Sequence, residues 1–135
     1  MDILFEDNHL LIINKRPGEL SQLDKTGDNS ILEKYKLYLK KKHNKKGNVF
    51  LGLVNRLDRP TSGVLILAKT SKALSRMNKM LVERKILKKY LAIVEKKPIR
   101  KKNTLINFLK KNQKQNKSYI VDETTKDLKK AILNY

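Results

Sequence analysis

Val64-Leu65-Ile66-Leu67-Ala68 constrains this chain more than any other stretch. It is a nearly unbroken apolar run of strand length, suited to a central strand buried on both faces. Immediately before it stands Asn55-Arg56-Leu57-Asp58-Arg59-Pro60-Thr61-Ser62-Gly63. That segment combines one carboxylate between two arginines with the Pro, Ser and Gly of a turn. Nearby positive charge favours the carboxylate form, so Asp58 is expected to be ionised. A fixed, exposed, ionised Asp is what a nucleophile or a general base requires.

The 135 residues suit one domain, long enough to bury a real core. The absence of cysteine excludes disulfides and thiolate metal sites. The two histidines, His9 and His43, are far apart in sequence, so no zinc site is expected. No segment approaches the ~20 apolar residues of a membrane-spanning helix. The start, Met1-Asp2-Ile3-Leu4-Phe5-Glu6, lacks the basic region of a signal peptide. A cytoplasmic location is expected.

The net charge is +19, a field that attracts polyanions. Lysine, asparagine and isoleucine are all abundant, as AT-rich coding would produce, so lysine alone is a weak guide to a binding surface. Arginine is the sharper signal. Lys and Arg total 32, and only Arg16, Arg56, Arg59, Arg76, Arg84 and Arg100 are arginine. Two of those six flank Asp58.

Strands are expected at Ile3 to Phe5 and Leu10 to Ile13, around the polar turn Glu6-Asp7-Asn8. Lys15-Arg16-Pro17-Gly18 and Gly27-Asp28-Asn29 break the chain. Ser30 with Glu33 forms a capping box, and Ile31, Tyr35, Tyr38 and Leu39 give the helix that follows one apolar face. Phe50, Leu51, Leu53 and Val54 lead as a strand into the Asp58 turn. Ser71 is expected to cap a second helix, with Leu74, Met77, Met80, Leu81 and Arg84 on one stripe. The methionines there read as core. Lys89 to Val94 alternates as a strand, with Tyr90, Ala92 and Val94 on one side. Further strands are expected at Thr104 to Leu109, Ser118 to Val121 and from Ala131 to Tyr135. The fold class is therefore α+β, a mixed and largely antiparallel sheet flanked by helices.

Three blocks of this sequence together resemble the RluA-type pseudouridine synthases, which convert uridine to pseudouridine in ribosomal or transfer RNA. The family block His-Arg-Leu-Asp-Arg-x-Thr-Ser-Gly, followed by an apolar strand ending in Ala-Lys, is similar to Asn55 to Gly63 and Val64 to Lys69. An upstream block is similar to Asp7, Leu10 to Ile13 and Asn14-Lys15-Arg16-Pro17-Gly18. A downstream Lys-x-Tyr-x-Ala pattern is similar to Lys88-Lys89-Tyr90-Leu91-Ala92. The motif opens with Asn55 where the family commonly has His.

The resemblance implies that Asp58 is the catalytic residue. It would act as nucleophile at C1′ or on the base, or take the 2′ proton to give a glycal. Arg56 is implied to fill or hold the place vacated by the extruded base, and Tyr90 to stack on the uracil. Arg59, Asn55 and Lys15 join them as RNA-binding residues. RNA is the expected partner of a monomer, with no cofactor, metal or membrane. Residues 96–135 hold no match to the family's Thr-Gly-Arg-Thr-His-Gln-Ile-Arg block, which supplies a basic partner to the catalytic Asp. The chain is thus expected to be the N-terminal portion of a catalytic domain, residues 1–135, ending inside its sheet. No separate S4-like RNA-binding domain is expected. The alternative is a non-catalytic RNA-binding remnant of such an enzyme.

Overall fold

A computed structural model describes residues 1–23 and 27–135 of the chain. These divide into two compact units, Met1–Lys89 and Tyr90–Tyr135.

The first unit is a four-stranded sheet between two helices. Its elements are β1 (Ile3–Glu6), β2 (Leu10–Lys15), α1 (Ile31–Lys42), β3 (Gly52–Leu53), β4 (Gly63–Ala68) and α2 (Ser71–Val82). The sheet order is β1-β2-β4-β3, and every neighbouring pair is antiparallel. The apolar run of β4 therefore occupies an inner position, as its composition predicts. Its two faces enter two cores. Leu65 and Leu67 join Leu11 and Ile13 of β2 and Ile31, Tyr35 and Leu39 of α1. Ala68 and Ile66 face the other way, onto Ala73, Leu74, Met77 and Leu81 of α2. Burying each large aliphatic side chain contributes roughly 1.5–3 kcal/mol, so the two helices hold the sheet from both sides.

Local signals set the helix starts. Ser30 caps α1, its side chain accepting from the Glu33 N–H at 3.4 Å. The second helix begins differently from expectation. Thr70, not Ser71, is the cap. Its extended backbone (φ −139°, ψ 152°), leaving β4, sets its hydroxyl on the Ala73 N–H at 3.1 Å. Two members of the expected α2 stripe also fall outside the core. Met80 is 39% exposed, and Arg84 lies past the helix end with φ 55°. The strand expected to lead into the Asp58 turn shrinks to Gly52–Leu53.

The second unit is a three-stranded antiparallel sheet of order β6-β5-β7, from β5 (Thr104–Asn112), β6 (Lys117–Val121) and β7 (Lys129–Asn134). These match the three strands expected there. Asn116, in the β5–β6 turn, takes φ 50°, a conformation that Asn tolerates better than most residues. Lys89 to Val94 is a correction: it is not a strand. The alternating pattern is present, but among the described residues no backbone pairs with it, and Leu91 and Ile93 are fully exposed. Alternation makes a strand only where a neighbour completes its hydrogen bonds.

A polar clasp closes one end of the first sheet. Glu6 accepts from Lys69 Nζ at 3.0 Å, Lys42 Nζ at 2.9 Å and the Tyr38 hydroxyl at 3.0 Å. Burial alone would raise the Glu6 pKa, but the hydrogen bonds from Lys42, Lys69 and Tyr38 outweigh it and bring the group from 4.5 down to about 2. The folded pKa is depressed, so the stabilisation is complete above pH 4.5 and is lost as pH falls through about 2. Glu6→Gln is expected to cost roughly 2 kcal/mol at neutral pH, after allowance for solvent screening, and to flatten the acid side of the stability profile. Urea midpoints measured from pH 7 to pH 2 check this. Parallel profiles for the two proteins would assign the acid sensitivity elsewhere.

Candidate active site

The β2–β4 ladder ends at the pair Lys15–Gly63, and there both chains leave the sheet together. One continues as Arg16-Pro17-Gly18. The other is the segment Asn55 to Ser62, which arrives at β4. Two glycines make the departures possible. Gly18 has φ +86° and Gly63 has φ +129°, while a Cβ on either would meet nothing within 4 Å. Backbone conformation, not space, selects glycine at both places.

Lys15 ties the two segments. Its side chain is 0% exposed, on the same face of β2 as Leu11 and Ile13. Its ammonium donates to the carbonyls of Thr61 at 2.6 Å, Arg59 at 3.0 Å and Arg16 at 3.2 Å. An ammonium carries three donors, and all three are used. Burial pulls its pKa below the usual lysine value, while the carboxylates of Glu19 and Asp58 raise it. Lys15, expected as an RNA contact, is thus buried beneath the loop and holds it. The Gly18 N–H adds a further bond to the Arg59 carbonyl at 2.8 Å.

The residues before Asp58 are held as firmly. The Asn55 amide bridges two groups of β4, accepting from the Ile66 N–H at 2.8 Å and donating to the Val64 carbonyl at 3.2 Å. It extends the sheet by a rung after the Val54 N–H has bonded Ile66. The shape of an amide, one donor beside one acceptor, suits this task. Leu57 enters the core, and its backbone is gripped on both sides by one hydroxyl. Ser21 Oγ donates to the Leu57 carbonyl at 2.7 Å and accepts from the Leu57 N–H at 3.3 Å. Ser21 is 6% exposed. The Asp58 carbonyl accepts from the Thr61 N–H at 3.0 Å, closing the turn.

Between these anchors Arg56 and Asp58 are exposed while Leu57 is buried. The carboxylate therefore stands on backbone that is fixed one residue before it and one residue after it. Such preorganisation is what a reacting carboxylate needs, since small misplacements are costly to rate.

The arginines are deployed unequally. Arg59 donates through Nε to the Gly18 carbonyl at 3.1 Å and through Nη2 to Asp28 at 2.8 Å, so its guanidinium serves the loop scaffold. Among the described residues, no ion pair joins either arginine to Asp58. Tyr90 opens the second unit in irregular backbone and is 63% exposed. Sequence reasoning missed Ser21, Asp28 and Glu19. Each is a common polar residue with no local pattern; the partners of Ser21 and Asp28 lie 36 and 31 positions away, while Glu19 meets the nearby Arg16 N–H and Lys34. The Leu20–Ser30 bridge and the sheet register bring Ser21 and Asp28 to the loop.

A family model described as RNA pseudouridylate synthase matches residues 9–135. Ribosomal large subunit pseudouridine synthase C of Buchnera aphidicola subsp. Acyrthosiphon pisum (strain APS) is 46% identical over 92 residues, which are 68% of this chain and 27% of that protein. The synthase C of Rickettsia prowazekii (strain Madrid E) is 32% identical over 133 residues, 98% of this chain and 42% of that protein. The chain thus spans well under half the length of these relatives. Among solved structures, Human RNA Pseudouridylate Synthase Domain Containing 4 superposes with a TM-score of 0.78 at 24% identity. It covers 97% of this chain and 51% of its own, a likeness of fold.

Proposed function

We propose a function from one premise: the chain belongs to the RNA pseudouridylate synthase family. On that premise it contributes to isomerising uridine to pseudouridine in RNA, with Asp58 as the catalytic residue. The observation that carries the reading is the loop itself. An exposed carboxylate stands on backbone held by Ser21 on one side and Lys15 on the other.

The reaction needs the glycosidic bond to break, the base to turn, and C5 to take the place of N1 on the ribose. Asp58 would act as nucleophile or remove the 2′ proton. The target nucleotide must leave its stack, at a cost of a few kcal/mol. Arg56, exposed two residues away, would hold the vacated position. Tyr90 offers a face for the extruded uracil. Arg59, Asn55 and Lys15 would support the RNA site from the scaffold. No redox change is involved, so the proposal includes no cofactor and no metal.

The synthases named above act on the ribosomal large subunit, which favours ribosomal over transfer RNA as substrate. The proposed setting is a monomer in the cytoplasm. Among the described residues no helix is long and apolar enough to cross a membrane. The chain is proposed as part of one catalytic domain. A second reading, a non-catalytic RNA-binding protein, draws on the 27% span of the first relative.

Incubation of the chain with large-subunit RNA transcript separates the readings. The expected result is pseudouridine at a discrete position, with binding that weakens linearly in log salt at about −0.7 per phosphate contact on single strands. Salt-dependent binding without pseudouridine would select the second reading. A flat salt response would remove both.

A further inference from the structure

Arg16 stands apart from the residues assigned above, and its surroundings give it a use. The chain employs arginine at only six positions, and three of them, Arg16, Arg56 and Arg59, meet at the Asp58 loop. Arg59 is occupied, its guanidinium held by the Gly18 carbonyl and Asp28. Arg16 and Arg56 are exposed, and among the described residues no acidic side chain pairs with either. Their backbones border Asp58 from opposite ends of the loop. Arg56 precedes Asp58 by two residues. Arg16 meets the segment that follows it, because Lys15 Nζ lies 3.2 Å from the Arg16 carbonyl and 3.0 Å from the Arg59 carbonyl.

The backbone of Arg16 is also fixed at both of its polar groups. The carbonyl takes the Lys15 bond, and the N–H donates to Glu19 Oε2 at 2.9 Å. Glu19 is steadied in turn by Lys34 Nζ at 2.6 Å. A planar guanidinium on a fixed base suits phosphate better than a free lysine does, since its fork of donors is already oriented.

We infer that Arg16 contacts an RNA phosphate on the side of the target nucleotide opposite to Arg56, so that the two arginines hold the strand on both flanks of Asp58. The inference rests on the proposal that the loop receives RNA. A nucleotide drawn out of its stack leaves a gap, which Arg56 holds, and a flanking phosphate beyond it, which a second and separate guanidinium can hold. The contact reads backbone, not base, so it sets position without choosing sequence.

The test is a fluorescence-anisotropy titration of a short fluorescein-labelled oligouridylate against the whole chain over a range of salt. Arg16→Gln is expected to weaken binding and to reduce the magnitude of the log–log salt slope by about 0.7. Arg16→Lys, which keeps the charge, should retain the slope. Lys45→Gln is the control. It removes one charge from the turn after α1, whose last residues join the Glu6 clasp at the far end of the sheet. If Arg16→Gln and Lys45→Gln give the same slope as the unaltered chain, the phosphate contact is overturned while RNA binding stands. If the unaltered chain itself shows no salt dependence, the functional reading fails first.

Discussion

Asp58→Ala is expected to abolish pseudouridine formation, a loss of at least about 10³-fold, while leaving the unfolding free energy of the chain within about 0.5 kcal/mol of the original. The two halves of that expectation come from different parts of the loop. The carboxylate is exposed. None of the hydrogen bonds that fix its backbone comes from the carboxylate, which adds only a favourable charge near Lys15. Ser21 grips Leu57, Lys15 and Gly18 grip Arg59, and Asn55 fastens the entry to β4. Removing the side chain therefore deletes chemistry and keeps the scaffold. Asp58→Asn should behave alike, because an amide neither attacks C1′ nor accepts the 2′ proton. Quantifying pseudouridine in large-subunit RNA transcript, beside a urea titration of each variant, provides both readings. Isomerisation that survives in the alanine variant would take Asp58 out of the reaction.

Lys15→Met is expected to have the largest effect on stability, about 3 kcal/mol, read as a lower urea midpoint at unchanged slope. Methionine matches the length of the lysine stem but offers no donor. Three carbonyls would then lie against an apolar group where a charged donor had satisfied them. Hydrogen bonds to a charged group contribute about 1.5–3 kcal/mol each and do not add fully, which sets the figure. The relief of an ammonium that burial disfavours offsets part of the loss. Activity should fall as well, since on the far side of Asp58 the Thr61 carbonyl loses its Lys15 tether and the Arg59 carbonyl keeps only the Gly18 N–H. A loss of unfolding free energy under about 0.5 kcal/mol would mean that the loop is carried by Ser21, Asn55 and the Gly18 N–H.

Much of the fold was legible because it rests on short-range patterns. The apolar composition of Val64 to Ala68 predicts an inner strand, and it lies between β2 and β3. The Ser30–Glu33 box predicts the start of α1, and it starts there. Membership of the RluA-type synthases was likewise readable from three ordered blocks. The readings that failed depended on what lies opposite. Lys89 to Val94 has the period of a strand, yet its backbone has no pairing partner among the described residues. Met80 sits at a plausible stripe position, but Ala73, Leu74, Met77 and Leu81 complete the face that β4 covers. Thr70 and Ser71 are both competent caps, and the path of the chain leaving β4 chose between them.

Lys15 shows the same limit at the candidate site. In sequence it is one of many lysines beside a Pro-Gly turn, and a role at the RNA surface was the natural reading. Its burial follows from the register that places it opposite Gly63. The Arg59 guanidinium similarly belongs to Gly18 and Asp28, partners 41 and 31 positions away in the chain.

By itself the sequence determined most of the element types, the central apolar strand, the family and the residue at the tip of the loop. Those depend on side-chain periodicity, capping chemistry and a contiguous motif, all written within a few residues of one another. Only the tertiary structure decided what supports that tip. A buried ammonium, a serine hydroxyl and an asparagine amide reach it through sheet register and long-range closure, because hydrogen bonds require proximity in space and the sequence orders residues only along the chain.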